Sequence, residues 1–271
     1  MAEERIQKLL AQAGFGSRRA CEAYLVQHRV RVNGKLADLG AKADPDHDTI
    51  TVDGRRVRIE AQKIYVMLNK PMGVVTTNED EFGRRIVRDL IPIEGHLYSV
   101  GRLDADSEGL VLLTNDGELA NALTHPRYEH EKEYQVLVEG RPVESTLKQW
   151  RRGVVLEGQP TASAHVEVIS AEGQQTWLRV VMHEGRKRQI REVAGMLGHR
   201  VKYLRRVRIG SLAMGALKTG RWRHLTSSEV RQLRSLVEQS DGRPSRRQSQ
   251  RAPRDKPPRT RSRPAKTSRR R

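Results

Sequence analysis

Three stretches of the 271-residue chain carry side chains suited to chemistry. The first is GRLDADSEGLVLLTNDGELANALTH, Gly101 to His125, where Asp104 is predicted to end one strand and Gly109 to open the next. A carboxylate at such a junction can be partly buried and still face a cleft, as a base or nucleophile. The commoner use of Asp there is to close a turn on nearby backbone. The second is HEGRKRQIRE, His183 to Glu192, with Arg186, Lys187, Arg188 and Arg191 crowded at the start of a predicted helix. A helix N-terminus already carries positive dipole, so cations there are unfavourable unless an anion visits; a solvated basic face is the alternative. The third is HEKEYQV, which puts Tyr134 early in a strand, a place ordinarily belonging to core or sheet surface.

Other chemistries find little support. The sequence has no phosphate-binding P-loop, no G-x-G-x-x-G turn and no G-x-S-x-G nucleophile elbow. His125 and His130 lack the spacing of adjacent helical turns and a third ligand, so no metal site is expected. The single cysteine, Cys21, allows neither an internal disulfide nor a cysteine-based zinc site. Its neighbours predict a buried thiol on a helix, and a reducing, cytoplasmic setting is expected. No apolar run is long enough to span a bilayer, and the amphipathic, acid-containing start MAEERIQKLLAQAG is no secretory signal.

The formal net charge of +18 calls for a polyanion, nucleic acid before an anionic membrane surface. From Arg243 to Arg271 there are 13 Lys/Arg and one acid, a net +12, which leaves +6 for the rest. The basicity is therefore largely a property of the tail.

Three segments must hold these residues. Residues 1–60 read as two helices and a small sheet. Ile6, Leu9, Leu10 and Ala13 form the stripe of a half-buried helix, which Gly14 and Gly16 end. Ser17 is a candidate N-cap for a second helix with Cys21, Tyr24 and Leu25 inward. Asn33-Gly34 and Asp53-Gly54 mark two tight hairpins. Residues 63–239 read as a mixed α+β domain. Its predicted strands are KIYVMLNK, LYSVGRLD, GLVLLT, KEYQVLVEG, SAHVEVIS and TWLRVVMHEG, the last two an antiparallel hairpin about AEGQQ. The helix RKRQIREVAGMLGH turns Ile190, Val193, Ala194 and Leu197 inward, and Thr226 and Glu229 form a capping box before the last helix. Strand–helix alternation is too irregular for a doubly wound sheet. Residues 240–271, Arg- and Pro-rich, are expected to be disordered.

Taken together, GRLDADSEGLVLLTNDG, EKEYQV, EGRKRQIRE and LNKPMGVVTT resemble, in order, the motifs of bacterial ribosomal RNA pseudouridine synthases, and residues 1–60 resemble their S4-like RNA-binding domain. The resemblance implies a catalytic domain built on a long antiparallel or mixed sheet. It implies that Asp104 is the catalytic carboxylate, paired with Arg191, and that Tyr134 stacks on the base and assists a proton transfer. Asp104 would act at the sugar, either attacking the anomeric carbon or taking part in forming a glycal-type intermediate. A uridine inside a helix must first be flipped out. Arg102 would fill the vacated space or contact phosphate. Arg18, Arg19, Asn33 and Lys35 match the family's RNA-facing positions, and Arg186, Lys187 and Arg188 its basic motif. The implied partner is ribosomal RNA, 23S before 16S and near the peptidyl transferase centre, free or in an assembly intermediate. A monomer is expected.

Two rival classes share the basic charge: a non-catalytic RNA-binding or ribosome-assembly protein, and a DNA-architectural protein. The first needs the fold but not Asp104, Tyr134 and Arg191 together; the second leaves the central motifs without a use. The isomerisation oxidises nothing and loses no group, so no cofactor is expected. Enzyme treated with EDTA should therefore convert RNA at an unchanged rate. A loss restored by one added metal, with the RNA still folded, would show otherwise.

Overall fold

The computed structural model describes residues 3–58 and 62–241. The basic segment after Asp241 lies outside the described residues.

The first unit runs β1 (Glu4–Arg5), α1 (Ile6–Gln12), α2 (Arg18–Val26), β2 (Val30–Val32), β3 (Lys35–Leu36), β4 (Lys42–Ala43), β5 (Ile50–Val52) and β6 (Arg55–Arg56). Ser17 caps α2 by accepting the Ala20 N–H. Ala13 falls just past α1, as its C-cap. Asn33-Gly34 (φ 50° and 82°) and Asp53-Gly54 (φ 49° and 77°) take positive φ at both central positions, the requirement of a two-residue hairpin whose twist matches its strands. These turns set β3-β2-β5-β6, whose Val30, Ile50 and Val52 pack on Ile6, Leu9, Leu10, Cys21 and Leu25. Burial pushes the Cys21 thiol up to about 11.

The second unit contains β7 (Tyr65–Lys70), β8 (Tyr98–Val100), β9 (Glu108–Thr114), α3 (Gly117–Thr124), β10 (Lys132–Glu139), α4 (Glu144–Arg152), β11 (Val155–Leu156), β12 (Gln159–Pro160), β13 (His165–Glu172), β14 (Gln175–Met182), α5 (Gln189–Met196), β15 (Val201–Ile209), β16 (Leu212–Ala213), β17 (Trp222–His224) and α6 (Ser227–Asp241). A nine-stranded sheet runs β13-β14-β10-β15-β9-β7-β17, with β16 on β15 and β8 on β9. All its pairings are antiparallel except β9 with β15. β7 and β9 are buried on both faces, which is why both read as apolar runs rather than alternations. Val66, Leu68, Val111, Leu113, Tyr134 and Val136 face α4 and α5, through Trp150, Ile190 and Val193. Met67, Leu110 and Leu112 face α3 and α6, through Leu119, Leu123 and Leu233. Thr226 and Glu229 exchange their capping bonds ahead of α6. Among the described residues no helix is long and apolar enough to cross a membrane.

Several elements depart from the sequence reading, which named neither α3 nor α4. β8 stops at Val100: Gly101 turns to φ 72°, and Asp104 sits in the loop beyond, not at a strand end. Gly109 is the second residue of β9, not the first. β15 was not foreseen, because VKYLRRVRI hides its apolar alternation behind four basic residues.

The parallel pair depends on Gly109. It has φ +116°, and a Cβ there would lie 2.2 Å from the Arg206 carbonyl oxygen across the pair. Gly109→Ala should destabilise the protein by about 2–5 kcal/mol, from positive φ plus overpacking. Urea unfolding measures it; a loss under half a kcal/mol would mean the strands part freely.

Candidate active site

The site lies at one edge of the sheet, where β7, β14 and β15 end and β9 and β10 begin. Register places Tyr134, Arg206 and Gly109 in one row across β10, β15 and β9. The loop carrying Asp104 enters β9 directly beneath that row.

Each carbonyl from Arg102 to Asp106 has a donor. Arg206, only 2% exposed, gives Nη1 to the Arg102 carbonyl (3.4 Å) and Nε to that of Leu110 (2.8 Å), bracketing the loop. Thr76 Oγ1 donates to the Leu103 carbonyl (2.7 Å) and accepts the Leu103 N–H (3.2 Å). The Ser107 N–H closes a turn on the Asp104 carbonyl (3.0 Å), and the Gly73 N–H donates to that of Ala105 (2.7 Å). Arg191 Nη2 donates to the Asp106 carbonyl (2.7 Å) and to Ser107 Oγ (3.2 Å). Buried carbonyls left without donors would each cost about 1–3 kcal/mol, so this set fixes the loop.

Onto that frame two carboxylates project. Asp106 takes Arg188 Nη2 at 2.7 Å, with Arg191 Nε at 3.4 Å. Partial burial alone would raise its pKa, but the Arg188 hydrogen bond and the charges of both arginines hold it below the usual carboxylate range. The Asp104 side chain is 40% exposed, and among the described residues its one ion pair is with Arg188 Nη1, at 3.8 Å. Arg191 therefore ion-pairs with Asp106, not with Asp104 as the resemblance implied. The reason is reach: with Nη2 committed to the Asp106 carbonyl, the rest of the guanidinium lies over that residue's own carboxylate. Tyr134, 8% exposed, shares a buried cluster with Leu103 and Ile190.

The sequence matches the family model of RNA pseudouridylate synthase over residues 64–194, and that of the S4 domain over residues 4–48. A protein of Aquifex aeolicus named as an RNA pseudouridine synthase is 42% identical, over 88% of this chain and 96% of its own. The Bacillus subtilis protein named ribosomal large subunit pseudouridine synthase B is 41% identical, over 87% of this chain and 97% of its own. The chain belongs to the RNA pseudouridine synthase family. A crystal structure of a pseudouridylate synthase superposes with TM-score 0.62 at 30% identity, covering 84% of this chain and 99% of that one.

In this synthase the remaining expected residues separate into two groups. Arg18, Arg19, Lys35, Arg102 and Lys187 are exposed. Asn33 and Arg186 have internal partners instead. The Asn33 amide bonds Asp48 Oδ1 (2.7 Å) and the Thr49 N–H (2.9 Å), tying its hairpin to the next loop. Arg186 donates to the carbonyls of Leu156, Gln159 and Pro160, holding the β11–β12 hairpin against the approach to α5. Arg188 is itself the N-cap residue of α5, with φ 51°, a left-handed conformation that aims its guanidinium at the loop.

Sequence reading missed Asp106, Thr76, Arg206 and Lys70. Lys70 is fully buried and donates to the carbonyls of Pro71 (3.0 Å) and Val74 (2.8 Å), shaping the turn that presents Gly73 to Ala105. Burial lowers its pKa to about 8, with Asp106 and Asp104 pulling the other way. Its ordinary value is 10.5, so between these limits the unfolded chain holds a proton that the folded one lacks. Folding stability should therefore rise with pH from about 8 towards 10.5, by up to ~3 kcal/mol. The rise should vanish in Lys70→Met, and the difference between the two proteins in pH-dependent urea unfolding measures it. Parallel curves would show that Lys70 keeps its charge throughout.

Proposed function

We propose that this synthase isomerises a uridine of large-subunit ribosomal RNA, 23S rather than 16S, with Asp104 as the carboxylate that meets the sugar. The observation that carries the reading is the state of Asp104. It stands half-exposed, with no arginine nitrogen among the described residues within 3.5 Å of its carboxylate, on a loop whose carbonyls from 102 to 106 are all fixed. The Bacillus subtilis relative's name supports the choice of ribosomal subunit.

The target nucleotide leaves its stack, because a paired uridine offers no access to its glycosidic bond. That bond, C1′ to N1, breaks with Asp104 beside the sugar. The uracil turns, C1′ bonds to C5, the C5 proton departs and N1 takes up a proton. Tyr134 lies in the row beside the loop, suited to stack on the turning base. Arg191 fixes the loop from below, and the exposed Arg102 fills the gap left in the RNA. The unit of residues 1–60, with Arg18, Arg19 and Lys35 outward, docks structured RNA beside the catalytic unit of residues 63–239. Lys187 and Arg188 add positive potential at the rim.

Asp104→Asn should abolish pseudouridine formation and leave RNA binding within a few-fold. Tritium release from [5-3H]uridine-labelled 23S transcript reads the first, and filter binding the second. Turnover near the wild-type rate would remove Asp104 from its role. In a deletion strain, carbodiimide mapping should show one pseudouridine missing from large-subunit RNA; a loss in small-subunit RNA would move the target.

A further inference from the structure

Two cations of β10 and β15 stand beside Tyr134 without a counter-charge. Lys132 precedes Tyr134 by two residues on β10 and so shares its side of the strand, and Arg206 stands across from Tyr134 on β15. Lys132 is half-buried, and its one hydrogen bond among the described residues, to the His130 carbonyl, is long at 3.4 Å. An ammonium has three N–H groups, so at least two are left without an acceptor there. Arg206 commits Nε and Nη1 to carbonyls, but its buried Nη2 has no partner. Neither side chain ion-pairs with a carboxylate among the described residues. Lys70 makes the contrast: it is fully buried, yet Asp104, Asp106 and Glu108 lie near enough to offset its charge. Burial and the charge of Arg206 draw Lys132 below its ordinary pKa, with no carboxylate among the described residues pulling the other way.

The fold does not call for this pairing. The cross-strand neighbours of Lys132 are Met182 and Ile209, both buried and apolar, so an apolar side chain would suit position 132 better. A cation held there beside a second cation costs stability, and such costs collect at functional sites, here one that receives an anion. Breaking the C1′–N1 bond supplies an anion. The electron pair of that bond leaves with N1, and the detached uracil carries a negative charge shared by N1 and its two carbonyl oxygens.

We propose that Lys132, with Arg206 behind it, receives this charge: its ammonium meets a carbonyl oxygen of the uracil as base and sugar part, and holds the base against Tyr134 while it turns. The proposal rests on the reading of the protein as a uridine isomerase with Tyr134 stacked on the base. The charge exists only between cleavage and rejoining, so the contact strengthens towards the transition state and adds little to substrate binding. Bonding of C5 to C1′ withdraws the charge again. The C5 proton then leaves and N1 gains one, while Lys132 stays protonated throughout. A backbone phosphate is the other anion at hand. It would need an outward-facing cation, and Arg206 is only 2% exposed; the base, entering beside Tyr134, reaches further in.

The test uses Lys132→Met and Lys132→Arg in the full chain, with [5-3H]uridine-labelled 23S transcript as probe. In Lys132→Met the single-turnover rate at saturating RNA should fall about a hundredfold, with RNA affinity and its salt dependence unchanged. The same variant should melt higher than the wild type, because an uncompensated cation is gone from between Met182 and Ile209. Lys132→Arg keeps the charge and should keep the rate within about tenfold of the wild type. A wild-type rate in Lys132→Met overturns the proposal. So does a salt slope flatter by about one unit with the saturated rate kept, which marks a phosphate contact. A Lys132→Met protein that melts lower, or does not fold, shows a structural brace and overturns it as well. A folded Lys132→Arg as slow as Lys132→Met shows that charge is not what the position supplies, and has the same effect. Should Lys132→Arg fail to fold, Lys132→Met decides alone. If the wild-type protein releases no tritium from either ribosomal RNA, the reading of the function itself fails; tritium release that Lys132→Met leaves intact sinks this proposal only.

Discussion

A loop that must hold a reacting group cannot also be free to choose its shape. Here the constraint is met through main-chain carbonyls. From residue 102 to residue 106 every carbonyl accepts a hydrogen bond, and the donors come from β15, the segment after β7, the loop itself and α5. A displacement of any of these elements would leave at least one carbonyl without its partner. The sheet order, the single parallel pairing and the placement of α5 against the sheet converge on that requirement. Regular structure is arranged around a segment that is itself irregular, so the rigidity of the carboxylate is borrowed from its surroundings.

The cost of the arrangement is electrostatic. Lys70 and Arg206 are buried to serve carbonyls, and Arg191 is nearly so. Burial draws Arg191 below its ordinary pKa, with Asp106 as the main countering charge. Lys132, lower on the same side of β10, is drawn down by burial and by Arg206. Two carboxylates set against this many cations leave the cleft positive, which suits a polyanionic substrate entering it. Structural cations and substrate attraction are thus served by the same residues.

Much of this was legible in the sequence where local physics decides. Asn33-Gly34 and Asp53-Gly54 dictated hairpins, Ser17 a cap, Thr226 and Glu229 a capping box, and AEGQQ the turn between β13 and β14. Apolar spacing identified the inner face of α5. Family motifs picked out the loop, though not its exit from regular structure after Val100, which turns on the left-handed Gly101. What escaped was non-local. Lys70 falls in step with Val66 and Leu68 on one face of β7, so the parity signal for a buried lysine existed. Reading it needed the knowledge that two carbonyls awaited it. Arg206 has the same parity as Leu204 but sits among Arg205 and Arg208, which carry no such burial. Asp106 could be told from Asp104 only by where α5 lies in space.

The anchors of the loop are distant along the chain. Arg188 and Arg191 lie 82 and 85 residues beyond the Asp106 they hold, and Arg206 lies 104 residues beyond Arg102. Translation delivers the carboxylates long before the arginines, and β15 enters between β9 and β10 only after both are made. The nascent chain therefore passes through that interval with the loop unsupported and the sheet missing a central strand. Competence arrives late and as one event, when the strand carrying Arg206 slots in. The polypeptide is in this sense timed: it gains a reactive centre only once the strand carrying Arg206 has been made.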